Sequence, residues 1–117
     1  IALSDAVTRS LSTLTRLPAF KYLGDNASEV NANPYVWARN LLANRLYECP
    51  VVFMEAYCMN GVQSYSRIQL GDYSGYKTIA GEKRMSIFRE YAEGSVNGLL
   101  DYYHSPVELK AVRRKRR

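Results

Sequence analysis

Histidine is nearly absent from this chain. Among 117 residues there is one, His104. Cysteine is scarce as well, with only Cys49 and Cys58. Two cysteines are too few for a disulfide scaffold, and they lack the paired Cys or Cys/His spacing of a structural zinc site. No run approaches the roughly 20 apolar residues that a membrane span needs, which excludes a transmembrane helix. Gly71, Gly75 and Gly81 are not followed by Gly-Lys-Ser/Thr, so a phosphate loop is excluded too. No internal repeat is visible. What is present is ordinary globular composition, 47% hydrophobic and 23% charged, which argues against disorder over the whole length. The length suits one domain, here taken as residues 1–109.

The net charge of +5 is unevenly placed. Lys110, Arg113, Arg114, Lys115, Arg116 and Arg117 form a basic end, whereas residues 1–109 hold 10 cations and 11 anions. The body is nearly neutral and does not support a nucleic-acid surface; only the tail at 110–117 does. That tail reads as a solvated, flexible arm, with nucleic acid, an anionic membrane or a cell-wall polymer as alternative partners. The ten tyrosines combine apolar area with a hydroxyl and suit half-buried walls of sugar or peptide clefts.

Leu3, Val7, Leu11 and Leu14 repeat at three and four, so residues 4–16 read as a helix capped by Ser4 or Asp5 and ended by Pro18. Residues 20–23 suit a short strand, and residues 24–33 a loop. Asn33-Pro34 has the form of a helix start, with residues 35–42 following. Pro50 opens the clearest strand, Val51-Val52-Phe53-Met54. Its continuous apolar run suits a strand buried on both faces of a parallel sheet. A helix is expected within residues 62–70 and a turn at residues 71–75. Phe88, Tyr91, Ala92, Val96, Leu99, Leu100 and Tyr103 define the strongest helix, residues 84–103, whose Gly94 and Gly98 read as close-packing positions. The fold expected is α/β, a small, mostly parallel sheet with flanking helices. Apolar faces on the two long helices make a homo-oligomer conceivable.

Catalytic groups in open α/β sheets gather at the carboxyl ends of strands. Glu55 stands there, directly after the apolar run. Its bland reading is a strand-end carboxylate paired with a cation such as Arg45. Its functional reading is a general acid or base. Cys58, three residues on, reads as a structural thiol, and so does Cys49.

The run Arg45-Leu-Tyr-Glu-Cys-Pro50-Val-Val-Phe-Met-Glu55-Ala-Tyr-Cys-Met-Asn60 resembles the C-terminal motif of the zinc-dependent N-acetylmuramoyl-L-alanine amidases. Arg45, Pro50, Glu55 and Asn60 match that motif in kind. The helix bearing Tyr91, Ala92, Gly98, Tyr102 and Tyr103 resembles the last helix of the family's catalytic domain. Tyr57 stands where the family usually has glycine. The resemblance spans about residues 35–104 and implies that Glu55 is the catalytic residue and that Arg45, Asn60 and Tyr57 shape the substrate site. It implies a peptidoglycan or muropeptide substrate, a zinc ion held by two His and one Glu, and a place in the bacterial cell envelope or outside the cell. Those metal ligands lie upstream of the glutamate in the family, and His104 lies after the last helix. The chain, which begins at Ile1, is therefore expected to be the C-terminal part of a larger amidase-like domain or a relative that has lost its metal, and to be inactive alone. The alternatives are a non-catalytic module holding peptidoglycan or a protein, and a nucleic-acid accessory protein acting through its basic arm.

Overall fold

The structure, a computed structural model, describes residues 1–104. In chain order these form α1 (Ala2–Thr15), β1 (Ser28–Val30), β2 (Asn33–Ala38), α2 (Ala43–Leu46), α3 (Val62–Gln69), β3 (Lys77–Ile79), β4 (Glu82–Arg84) and α4 (Ile87–His104). The basic tail lies outside the described residues.

α1 and α4 pack side by side. Gly94 lies against Leu11 and Gly98 against Val7, so the two helices run antiparallel. A Cβ at Gly98 would overlap the Val7 backbone and lie 3.0 Å from the Ala6 carbonyl oxygen. The glycines therefore set the helix separation. This packing places Leu3, Val7 and Ile87 in the core, with Val36 of β2 as the fourth buried apolar residue among the described residues.

The face of α4 that is buried is not the apolar stripe expected from periodicity. Ile87, Glu90, Gly94 and Gly98 are buried, whereas Val96, Leu99, Leu100 and Tyr103 remain exposed. A glycine face lets two backbones meet, and that contact displaces the larger side chains to the outside.

One carboxylate organises the end of this helix pair. Glu90 Oε2 accepts from Arg67 Nη2 at 2.8 Å and from Arg84 Nη2 at 2.7 Å. The two guanidinium groups also donate to the last carbonyls of α1: Arg84 to Leu14 and Thr15, Arg67 to Thr15. These are carbonyls a helix end leaves without internal partners, and they carry the negative end of its dipole. Arg67 Nε is the one buried side-chain nitrogen or oxygen without a hydrogen-bond partner among the described residues. Ser86, fully buried, caps α4 by accepting from the Arg89 amide at 3.2 Å and donates to Asp72 at 2.5 Å. Asp72 also pairs with Arg89 at 3.1 Å.

The expected parallel sheet is overturned. The strands form two separate two-stranded antiparallel sheets, β1 with β2 and β3 with β4. Both hairpins close through two residues at positive φ, Asn31 and Ala32 in the first, Ala80 and Gly81 in the second. Positive φ at both central positions is what type I′ hairpin turns require. Residues 51–54, expected as the central strand, belong to no strand, and no strand among the described residues pairs with them. Phe53 is 65% exposed and Met54 40% exposed. A strand forms only where a neighbour receives its backbone hydrogen bonds, and the described strands pair only within their own hairpins.

Two local expectations also change. Asn33-Pro34 opens β2, not a helix; proline is tolerated at a strand start because it lacks only one amide donor. α1 begins at Ala2 without a side-chain cap. Asp5 instead accepts from Asn33 Nδ2 at 2.9 Å, tying the first hairpin to α1.

Candidate functional site

Glu55 lies in the irregular segment between α2 and α3, not at a strand end. Its carboxylate is nonetheless held. The Tyr22 hydroxyl donates to Oε2 at 2.6 Å, and Arg39 Nη1 donates to Oε1 at 3.3 Å. The side chain is 56% exposed, so it remains within reach of a ligand.

Two pieces of chain supply these partners. Arg39 directly follows β2, and Tyr22 lies in the irregular segment after α1. β2 carries Trp37, whose Nε1 donates to the Pro34 carbonyl at 3.0 Å. The Trp37 ring meets Tyr22 edge-on at 5.2 Å, and Phe20 meets Tyr22 edge-on at 5.2 Å as well. The Arg39 guanidinium sits over the Tyr22 ring, 5.5 Å from its centroid. A cation over a ring face and two ring edges is a favourable set for an aromatic quadrupole. The Tyr22 phenol is held above its usual 10.0, chiefly because it donates to Glu55, with burial and the Glu55 charge adding to this and Arg39 opposing it.

Glu55, Tyr22, Arg39 and Trp37 line one cleft of about 1010 Å³. That volume is at the upper end of small-ligand sites. The cleft wall is mostly apolar, with Phe53, Met54 and Tyr57 among its contributors.

The residues singled out in the sequence are distributed unevenly around this cleft. Asn60 lines it from the exposed turn before α3. Tyr57 lines it too, but its hydroxyl donates to the Ile87 carbonyl at 3.4 Å and its ring lies against Phe88 and Tyr91. Burial, then Tyr91, raises the Tyr57 phenol above its ordinary value, with Arg67 opposing. Arg45 is exposed on α2, makes no ion pair among the described residues and does not line the cleft. The cation that reaches Glu55 is Arg39. Sequence spacing favoured Arg45 because it lies closer in the chain; Arg39 is placed by the hairpin. Tyr22 gave no signal beyond being one of ten tyrosines.

Cys49 is exposed and Cys58 half-buried, and both are free thiols. His104 is exposed at the end of α4. Among the described residues no group of three or more His, Cys, Asp or Glu is placed to hold a metal ion. The zinc implied by the resemblance therefore does not fit the described residues. No helix among them is long and apolar enough to cross a membrane. Comparison with protein-family models, with curated proteins and with solved structures found no match.

Proposed function

We propose that this chain supplies the proton-carrying carboxylate and the substrate cleft of a hydrolase of the N-acetylmuramoyl-L-alanine amidase type, acting on peptidoglycan or a muropeptide. The observation that carries this reading is Glu55: the acid of the motif stands at an apolar, aromatic cleft with each oxygen held by a separate donor. A fixed carboxylate with remaining lone pairs can accept a proton from an attacking water and return it to a leaving amine. Arg39 and Tyr22 hold its two oxygens in place by donation. The aromatic wall offers stacking area to a sugar ring and apolar contact to a peptide. The two-His, one-Glu zinc set that the resemblance implies needs more than the single His104, so by itself this chain is proposed to bind muropeptide without cleaving it.

The test is a muropeptide titration of the isotopically labelled chain, followed by nuclear magnetic resonance, with product analysis on the same samples. Shifts are expected at Glu55, Tyr22, Trp37 and Asn60, with no cleavage. Shifts confined to other surfaces, or none, overturn the reading. Zinc-dependent turnover by the chain overturns its inactivity.

A second reading, a non-catalytic module holding peptidoglycan, rests on the same mostly apolar cleft, lined by Tyr22, Tyr35, Tyr57 and Tyr91, and asks no proton transfer of Glu55. Protein from its native source separates the two. About one zinc per molecule, with turnover lost in Glu55→Gln, supports the hydrolase. A zinc-free native protein that binds muropeptide supports the module.

A further inference from the structure

Glu55 is an exposed side chain with three rotatable bonds, so it holds one orientation only if its oxygens are restrained. Two donors restrain it, and they differ in kind. Arg39 is a long, flexible cation whose contact is 3.3 Å. Tyr22 is a rigid ring with two rotatable bonds, and its contact is 2.6 Å. The ring is itself fenced by Phe20, by Trp37 and by the Arg39 guanidinium. Trp37 in turn is fixed to the Pro34 carbonyl. A connected path thus runs from the backbone of β2 through two rings to one carboxylate oxygen.

We propose that Tyr22 is a positioning residue: its hydroxyl fixes Glu55 Oε2 so that the carboxylate presents one orientation to the cleft. This rests on the reading of Glu55 as the proton carrier. A phenol holds its proton to far higher pH than a carboxyl does, so Tyr22 donates and Glu55 accepts. The donation is strongest while Glu55 is charged and weakens once it takes a proton. The groups acting on the phenol are Glu55, which raises its titration, and Arg39, which lowers it.

Two variants test this on the whole chain. Tyr22→Phe keeps the ring among Phe20, Trp37 and Arg39 and removes only the hydroxyl. Glu55→Gln keeps Tyr22 as a reporter. The readouts are the Tyr22 ring carbon titration, the Glu55 carboxyl carbon resonance at neutral pH and muropeptide affinity, with circular dichroism confirming the fold. In the wild type Tyr22 is expected to titrate above 10.0, and in Glu55→Gln to fall back towards 10.0. Tyr22→Phe is expected to shift the Glu55 resonance and weaken muropeptide binding on the order of tenfold. A Tyr22 titration that ignores Glu55→Gln overturns the positioning role even if muropeptide binds normally. Intact coupling with no muropeptide binding by the wild type overturns the functional reading instead, and with it the purpose assigned to Tyr22. Should Tyr22→Phe not fold, the Glu55→Gln titration decides alone.

Discussion

Two carboxylates, each held by arginine, divide the molecule. Glu90 has a side chain 4% exposed and is held by Arg67 and Arg84. Glu55 has a side chain 56% exposed and is held by Arg39 and Tyr22. The chemistry of the contacts is similar, and the surroundings separate their consequences. Around Glu90 water is excluded, so charges and donors must match there, and the cluster locks α1, α3 and α4 together. Around Glu55 water competes, so the contacts orient the group without adding much stability. Most of the buried side chains gather on the helical side, whereas β2 and residues 47–60 border an open cleft and carry exposed apolar side chains. Ligand-binding segments are commonly drawn from the less stable part of a protein.

The largest expected effect tests the buried side. Glu90→Ala leaves two guanidinium groups buried without their carboxylate, and stability should fall by about 3–5 kcal/mol in urea unfolding. A loss under about 1 kcal/mol would break the contrast, because Glu90 would then behave like a surface residue. Next comes Gly98→Ala. The added methyl overlaps the Val7 backbone, and α1 and α4 must separate, at a cost of about 1–3 kcal/mol by thermal unfolding.

Ser86→Ala removes both the cap of α4 and the donor to Asp72. The expected loss is about 1 kcal/mol. It carries a pH signature. The Asp72 carboxyl is held below its usual 3.8, first by Ser86 and then by Arg89. A carboxyl lowered on folding adds stability that is present above pH 3.8 and is lost as pH falls through the folded value. In Ser86→Ala the Asp72 resonance should titrate closer to 3.8, and the low-pH part of the stability curve should flatten.

The smallest stability effect sharpens the other side of the contrast. Glu55→Gln is expected to change unfolding free energy by less than about 0.5 kcal/mol in urea unfolding. A large destabilisation would make Glu55 a structural residue of the same kind as Glu90.

Some of this was legible in residue order. α1 and the core of α4 follow from apolar spacing at three and four, because helical contacts are local and periodic. The close-packing role of Gly94 and Gly98 was legible for the same reason. The hairpins were hidden: Ala32 and Ala80 at positive φ are atypical turn residues, so neither turn announces itself. Residues 51–54 have the composition of a buried strand, yet composition specifies only a preference, and strand formation needs a neighbour to receive its hydrogen bonds.

The sequence by itself determined the two long helices, the neutral body with its basic end and the single histidine. Only the tertiary structure decided that Arg39 and Tyr22 hold Glu55, at separations of 16 and 33 residues, and that α4 buries glycines and Glu90 in preference to its apolar stripe. The physical reason is common to both. Periodicity reports which side chains share a face of one element, whereas the partner of a charge or the face that packs depends on which surfaces of distant elements fit.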